Sequence, residues 1–303
     1  MITADSAHLS LVDSSERLRP APRDSSCMQA VVLAGGRGTR LAPYTSVLPK
    51  PLMPIGETSI LELVIEQLVA HGITKITLSV GYLAHLIEAV LDHADRHGAE
   101  VTYVREKEPL GTAAPLRLID GLDRTFIAMN GDVLTDLDYG ALIQHHHAAG
   151  NALTIATKNR SVKIDYGVLD VRESEDFPRL IGFTEKPQIH YTVSMGVYVL
   201  EPEVLGYIPP VGPFDVPDLV RRLLDDDRRV GSYCHDGLWF DIGRQDDYVE
   251  ANATWLQRIG EADHGHSAPN PGESDAPAMA RSVGGGPRTV LERSPRATAS
   301  EPA

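Results

Sequence analysis

The chain has 303 residues, a formal net charge of −14 and 42% hydrophobic residues. That apolar content supplies a core for one large domain or two, and the acidic excess excludes a general nucleic-acid binder. No apolar run reaches bilayer length. With only Cys27 and Cys234 no disulfide framework is indicated, so the cytoplasm is the expected setting.

Residues 1–27 are rich in Ser, Asp, Arg and Pro, lack periodicity and read as a disordered extension. Asp5, Asp13 and Glu16 interrupt any signal-peptide pattern. Met28 directly precedes the first strand and is the expected start of the folded unit. The two terminal segments, 1–27 and 260–303, account for −1 and −2 of the charge, which leaves −11 between them. Cations such as Arg40, Lys50 and Lys186 therefore stand out locally.

Ala30-Val-Val-Leu33 reads as a buried strand. It runs into Gly35-Gly-Arg-Gly38, a bare turn whose backbone N–H groups can form an anion nest. Arg40 adds a cation, and so does Lys50, which Pro49 and Pro51 are expected to hold in an extended segment. The loop matches neither the P-loop, which needs Lys-Ser or Lys-Thr after the glycines, nor the dinucleotide fingerprint, which needs glycine where Leu41 stands. A polyphosphate site is the remaining reading.

Leu61, Val64, Ile65, Leu68 and Val69 predict an amphipathic helix that Gly72 ends. Ile73–Val80 predicts a strand, 85–97 a helix, and Val101–Val104 and Phe126–Met129 further strands. This alternation predicts a three-layer α/β domain with a mostly parallel mixed sheet. Asp132 follows the last of these strands, at the edge where such folds place ligands. His145, His146 and His147 are consecutive on a predicted helix, point in different directions, and read as solvated surface.

After Gly150 the pattern is strand-rich: Leu153–Thr157, Gly167–Val171, Leu180–Thr184 and Val193–Leu200. Helices follow near 215–226 and 245–258. Cys234 and His235 read as packing residues. Residues 260–303, rich in Ala, Pro, Gly and Ser, read as a disordered tail without hexapeptide repeats. The expected folded unit is 28–259, in two halves, 28–150 and 151–259.

Five motifs occur in order: Leu33 to Leu61 (LAGGRGTRLAPYTSVLPKPLMPIGETSIL), Glu108-Pro-Leu-Gly-Thr-Ala113, Asn130-Gly-Asp132, Phe183-Thr-Glu-Lys-Pro187 and Trp239-Phe-Asp-Ile-Gly243. Over roughly residues 28–258 they resemble the sugar-nucleotide nucleotidyltransferases, or NDP-sugar pyrophosphorylases. The resemblance implies a Rossmann-like nucleotidyltransferase fold. The implied reaction joins an NTP to a sugar 1-phosphate, giving NDP-sugar and pyrophosphate.

It also implies a nucleotide-binding half at 28–150 and a sugar-phosphate half at 151–259, and roles for individual residues. Leu33, Ala34, Gly35, Gly36, Gly38, Thr39, Gly111 and Thr112 would hold the nucleotide. Arg40 and Lys50 would hold the β and γ phosphates, and Asp132 and Asp241 would hold Mg²⁺. Lys186 would bind the acceptor phosphate, Glu185 the sugar hydroxyls, while Asn130, Gly167 and Val193 would line the sugar pocket. Glu106, five residues before Gly111, stands where relatives read the base. A carboxylate only accepts, and guanine alone offers two adjacent donors, so GTP is the expected nucleotide.

The Glu106–Leu116 segment resembles mannose-1-phosphate guanylyltransferases, except that Ala114 stands where relatives usually have glycine. Two alternatives stay open. One is the same reaction with dTTP, UTP, ATP or CTP and glucose 1-phosphate, a heptose phosphate or a cyclitol phosphate. The other is a catalytically silent paralogue that binds sugar nucleotides, although such a chain is expected to lose Arg40, Lys50, Asp132, Lys186 or Asp241, and all five are present. No nucleic-acid or membrane partner is expected. Oligomeric state is left open, a homo-oligomer included.

Overall fold

The apolar run ahead of the glycine loop forms β1 (Gln29–Ala34), and its alternating side chains feed two separate cores. Ala30, Val32 and Ala34 join one, and Val31 and Leu33 contact the other. A strand buried on both faces belongs to the middle of a layered fold. The computed structural model describes residues 28–94, 96–174 and 177–264, so the expected N-terminal extension and all but the first residues of the expected tail lie outside the described residues.

Three short turns connect β1 to β2 (Pro54–Ile55) and β3 (Thr58–Ser59), which form a small hairpin. Ser59 then caps α1 (Ile60–Ala70). Its hydroxyl accepts from the Glu62 N–H, and the Glu62 carboxylate accepts from the Ser59 N–H. This capping box satisfies two otherwise orphaned groups at the helix start. Leu61, Val64, Ile65 and Leu68 are all buried, as the periodicity predicts.

Next come β4 (Lys75–Val80), α2 (Ala84–His93) and β5 (Glu100–Arg105). α2 is four residues shorter than predicted at its end. Ala94 turns extended, and His97 and Gly98 take positive φ, which no helix accommodates. β6 (Phe126–Asn130) and β7 (Val133–Thr135) lead to α3 (Tyr139–Ala149), which Gly150 ends in the left-handed region.

The remaining elements are β8 (Leu153–Lys163), β9 (Val168–Arg172), β10 (Arg179–Thr184), β11 (Gln188–Leu200), α4 (Val216–Asp225), β12 (Val230–Cys234), β13 (Trp239–Asp241) and α5 (Gln245–His264). Seven strands make the central sheet, in the order β12-β8-β11-β6-β1-β4-β5. Only β11 runs against the others. The first core holds apolar faces of α1, α2 and α3 together with Ala251 and Trp255, and the second holds that of α4. This is the expected three-layer α/β fold with a mostly parallel mixed sheet.

β8 and β11 are long. Their paired ends Leu153 and Leu200 lie in the sheet, while residues 158–163 and 188–194 continue as a mostly exposed ribbon. β9 and β10 form a second ribbon with no further strand. Strands were expected at all of these positions; the length of β8 and β11 beyond the apolar runs was not. Polar residues such as Lys158, Asn159, Arg160 and Ser161 fit a strand that has left the core.

Removing the Ser59 cap tests the helix-start argument. Ser59→Ala is expected to cost about 1 kcal/mol, read as a lower midpoint with unchanged slope in urea unfolding.

Candidate functional site

Parallel register gathers the site. Ala34 lies opposite Val80, and Val80 opposite Arg105. The next residues, Gly35, Gly81 and Glu106, therefore emerge side by side at the carboxyl ends of their strands. Leu33 pairs with Asn130, which brings Gly131 and Asp132 to the same edge. The Gly131 N–H donates to the Leu33 carbonyl at 2.9 Å, and a Cβ on Gly131 would crowd that oxygen at 3.1 Å.

The glycines of the loop have distinct reasons. Gly38 alone takes positive φ, at 58°, and its carbonyl accepts from the Leu41 N–H and the Thr45 hydroxyl. A Cβ on Gly35 would fall 2.4 Å from Glu106 Oε1, so the bare α-carbon admits that carboxylate. Around Gly36 there is open space. Lys50 is buried, but it begins a short 3₁₀ turn (Lys50–Leu52) where an extended segment was expected; only Pro49 is extended.

Glu106 is clamped. Its Oε1 accepts from the Ser79 hydroxyl at 2.8 Å and its Oε2 from the Leu110 N–H at 3.2 Å. The carboxylate lies in a cleft of about 360 Å³ lined by Gly35, Arg37, Gly81, Tyr82 and Pro109. Arg37 stacks over the Tyr82 ring at 5.3 Å. Ser79, Gly81, Tyr82 and Arg37 were missed in the sequence. Ser79 was visible as a hydroxyl within an apolar strand, but its partner depends on the register of β4 against β5.

Lys50 Nζ binds Asp132 Oδ2 directly. Asp132 Oδ1 is buried and has no hydrogen-bond partner. β13 pairs with β7 so that Asp241 stands opposite Val133, and the Ile242 N–H donates to the Asp132 carbonyl at 3.3 Å. The two aspartates are thus neighbours on adjacent strands. Arg40 completes the group, because a Cβ on Gly243 would stand 3.5 Å from its Nη1. Although Asp241 is exposed as a residue, desolvation of its carboxyl raises its pKa, and the charge of Asp132 adds to the rise; Lys50 and Arg40 act against it.

The donor set fits a divalent cation. Two hard carboxylates lie together, one with an oxygen that no protein group satisfies, and their mutual repulsion is what a metal would relieve. Hard divalent cations as a class prefer such oxygen ligands.

Gly111 and Thr112 are placed differently. The Thr112 N–H and hydroxyl donate to Asp215 Oδ1 at 2.9 and 3.1 Å, and the Val216 N–H donates to Thr112 Oγ1 at 2.9 Å. Gly111, with φ of 82°, packs so that a Cβ would fall 2.8 Å from the Phe214 carbonyl. The pair ties its loop to the start of α4. Ala114 is buried in the second core, so its methyl group takes up core space.

The acceptor candidates are not brought into one group: Gly167, Glu185 and Lys186 lie where the two ribbons join, whereas Val193 and Asn130 lie nearer the sheet. A Cβ on Gly167 would stand 2.5 Å from Phe183 Cζ and 3.3 Å from Glu185 Oε2. Lys186 is exposed and takes φ of 45°, a strained conformation for a residue with a side chain. Val193 is half-buried on β11. Asn130 packs against Gly196, whose positive φ of 74° lies within an irregularity of β11.

His146 is not solvated surface. It is buried, with Nδ1 at 2.8 Å from Thr154 Oγ1 and Nε2 at 3.1 Å from Glu201 Oε1. Burial pushes its pKa down. Tyr139, Leu142 and His146 follow i, i+3, i+7 spacing, so one histidine of three falls on the buried stripe. Its ring nitrogens, with the His147 and Glu201 ligand atoms within 4.8 Å of one another, are satisfied by these hydrogen bonds. Cys234 is exposed and so does not pack, while His235 pairs with Asp136 Oδ1 at 2.8 Å. A larger hollow of about 690 Å³, beside Asn151, Glu201 and Arg228, lies at the opposite edge of the sheet, away from every motif.

A sequence model of the family described as nucleotidyl transferase matches residues 29–258. The chain is 33% identical to a UTP–glucose-1-phosphate uridylyltransferase of Synechocystis over 251 residues, 76% of this chain and 64% of that protein. It is 32% identical to a mannose-1-phosphate guanyltransferase of Candida albicans over 240 residues, 77% of this chain and 66% of that protein. The chain thus spans just under two thirds of these relatives. The crystal structure of HddC from Yersinia pseudotuberculosis complexed with GMP-PN superposes with a TM-score of 0.57 at 26% identity, covering 76% of this chain and all of that one. Among the described residues no helix is long and apolar enough to cross a membrane.

The raised pKa of Asp241 has a consequence for stability. A carboxyl whose folded pKa exceeds its unfolded one destabilises the fold when ionised, and the cost vanishes below the unfolded pKa of about 3.9. Asp241→Asn is therefore expected to raise Tm at pH 7. The gain should shrink to nothing below about pH 4 in thermal melts across pH.

Proposed function

The chain belongs to the nucleotidyl transferase family, and on that premise we propose that it transfers a nucleotidyl group from GTP to a mannose 1-phosphate-like sugar phosphate, releasing pyrophosphate. The observation that carries the reading is the Lys50–Asp132–Asp241 group, with its unsatisfied Oδ1, beside a bare glycine turn at the strand ends.

In this reading a sugar-phosphate oxygen attacks the α-phosphorus in line, and pyrophosphate departs. The attacking phosphate is already anionic, so no strong base is required. The difficulty is bringing anionic reactants together, and positioning with charge neutralisation supplies most of the rate. The loop N–H groups and Arg40 hold the triphosphate. Lys50, fixed by Asp132, neutralises the leaving group. Lys186 meets the acceptor phosphate, and Glu185 accepts from sugar hydroxyls. Asp132 and Asp241 would hold Mg²⁺, which supplies positive charge against the phosphate oxygens. The scarcity of cysteine is in keeping with a cytoplasmic enzyme.

Glu106 supports the choice of base. Both oxygens already accept one hydrogen bond, and each retains a lone pair aimed for further donors. Guanine N1–H and N2–H can both donate to it. Uracil and thymine present a single N–H between carbonyls that a carboxylate repels. The guanyltransferase relative and the neighbour holding GMP-PN agree with this. The uridylyltransferase relative favours UTP with glucose 1-phosphate as the second reading.

A matrix of NTPs against sugar 1-phosphates with pyrophosphate detection separates these. GTP with mannose 1-phosphate is expected to lead; a lead for UTP or dTTP would overturn the Glu106 argument, and no release with any pair would favour a silent sugar-nucleotide binder. Glu106→Ala should cut the preference for GTP by about tenfold or more. Asp132→Asn should lower kcat by about 10³-fold with an unchanged far-UV spectrum. It is a cleaner probe than Asp132→Ala, which would strand the buried Lys50 without any acceptor.

A further inference from the structure

Residues 35–48 carry the glycine turn and Arg40 and lead to Lys50, but they lie between β1 and β2, outside any strand. Among the described residues, both hydrogen bonds that tie this stretch to the rest of the fold come from Tyr82. Its N–H donates to the Gly35 carbonyl at 3.3 Å, and its hydroxyl donates to the Ser46 carbonyl at 3.0 Å. Within the stretch, the Thr45 hydroxyl donates to the Gly38 carbonyl at 2.8 Å. These links close a ring that runs from Gly35 through the turn to Gly38, across to Thr45 and Ser46, and back through Tyr82. Gly36, with open space where a Cβ would be, lies on that ring.

The fold is shaped to present Tyr82 here. A Cβ on Gly81 would fall 2.9 Å from the Gly35 carbonyl oxygen, so bare backbone is what lets the end of β4 reach the turn. Leu83, which starts α2, takes φ of 54°, a left-handed conformation that disfavours a residue with a side chain. The bend that aims Tyr82 is therefore kept at a cost. The Arg37 guanidinium lies over the Tyr82 ring at 5.3 Å, so an exposed cation of the glycine turn rests on the same residue. A Cβ on Gly38 would stand 3.0 Å from Thr45 Cγ2 and 3.2 Å from Lys50 Cβ, so the turn, Thr45 and Lys50 pack as one body. Holding Ser46 thus holds the segment from which Lys50 reaches Asp132. Tyr82 also walls the cleft that holds Glu106.

We propose that Tyr82 is the positioning residue of the triphosphate loop. Its hydroxyl clasps the Lys50 segment against the glycine turn, so the loop N–H groups and Lys50 meet the phosphates already in place and little ordering remains for binding to do. It touches no reacting atom in this role. That the loop receives phosphates rests on the functional reading above; the clasp does not.

Tyr82→Phe removes the hydroxyl and keeps the ring, the N–H and the Arg37 stack, so the far-UV spectrum should not change. Titration calorimetry with Mg²⁺ and no sugar phosphate reads the clasp through the nucleotide. Loss of one hydrogen bond should weaken GTP about fivefold, while GMP, which lacks the β and γ phosphates, stays within about twofold. In turnover, KM for GTP should rise and KM for mannose 1-phosphate stay within about twofold, where a general structural defect would raise both. The preference for GTP over UTP should stay at its wild-type value, because Glu106 is untouched. GMP weakened as much as GTP, or GTP left unchanged, would overturn the proposal. Hydrogen exchange on the ligand-free protein decides the clasp without any substrate. The amides of Ser46, Val47 and Leu48, which bond within their own turn, should exchange faster in the variant, while those of α1 keep the wild-type rate. Exchange at 46–48 that does not change would sink the clasp whatever the affinities do. If the wild type releases no pyrophosphate with any NTP, the functional reading fails, and the exchange result still decides the clasp.

Discussion

Parallel pairing of β1 with β4 and β6, and of β4 with β5, is the constraint on which the rest depends. Parallel strands end at one edge, so whatever follows each strand is delivered to the same place. A bare glycine turn, a glycine–tyrosine pair, a carboxylate and an aspartate, separated by up to about a hundred residues of sequence, meet there because four strands stop in step. A slip of one residue would turn each strand's faces over, and the two cores on opposite sides of β1 leave no room for that.

Once gathered, the groups are held by electrostatics that favour a ligand over the empty fold. A buried lysine is tolerable because Asp132 takes one of its protons in a hydrogen bond. Asp132 keeps a second oxygen with no partner, and Asp241 is brought beside it at a cost visible in its raised pKa. Such an arrangement trades stability for the ability to bind charge. Glu106 is the opposite case: two hydrogen bonds and a bare neighbour at Gly35 pin it in one orientation.

The ribbons obey a different rule from the sheet. Inside the sheet, strands are apolar on both faces because helices cover both. Beyond the edge, β9 and β10 place Leu169, Val171, Leu180 and Phe183 on one face, whereas β8 and β11 mix Lys158 and Arg160 with Val162 and Ile189 on theirs.

Much of this was legible from residues alone. Helical spacing in 61–69 specifies α1 because helix periodicity is a local property. The glycine loop, the flanking cations and the paired aspartates announce phosphate and metal chemistry because that chemistry needs those functional groups. What the sequence could not reveal was partnership. Nothing local says that Gly35 is bare for the sake of Glu106, that Thr112 braces Asp215, or that His146 rather than its two neighbours is buried. These depend on strand register and on which helix face meets the sheet, and both are settled only when the whole core packs.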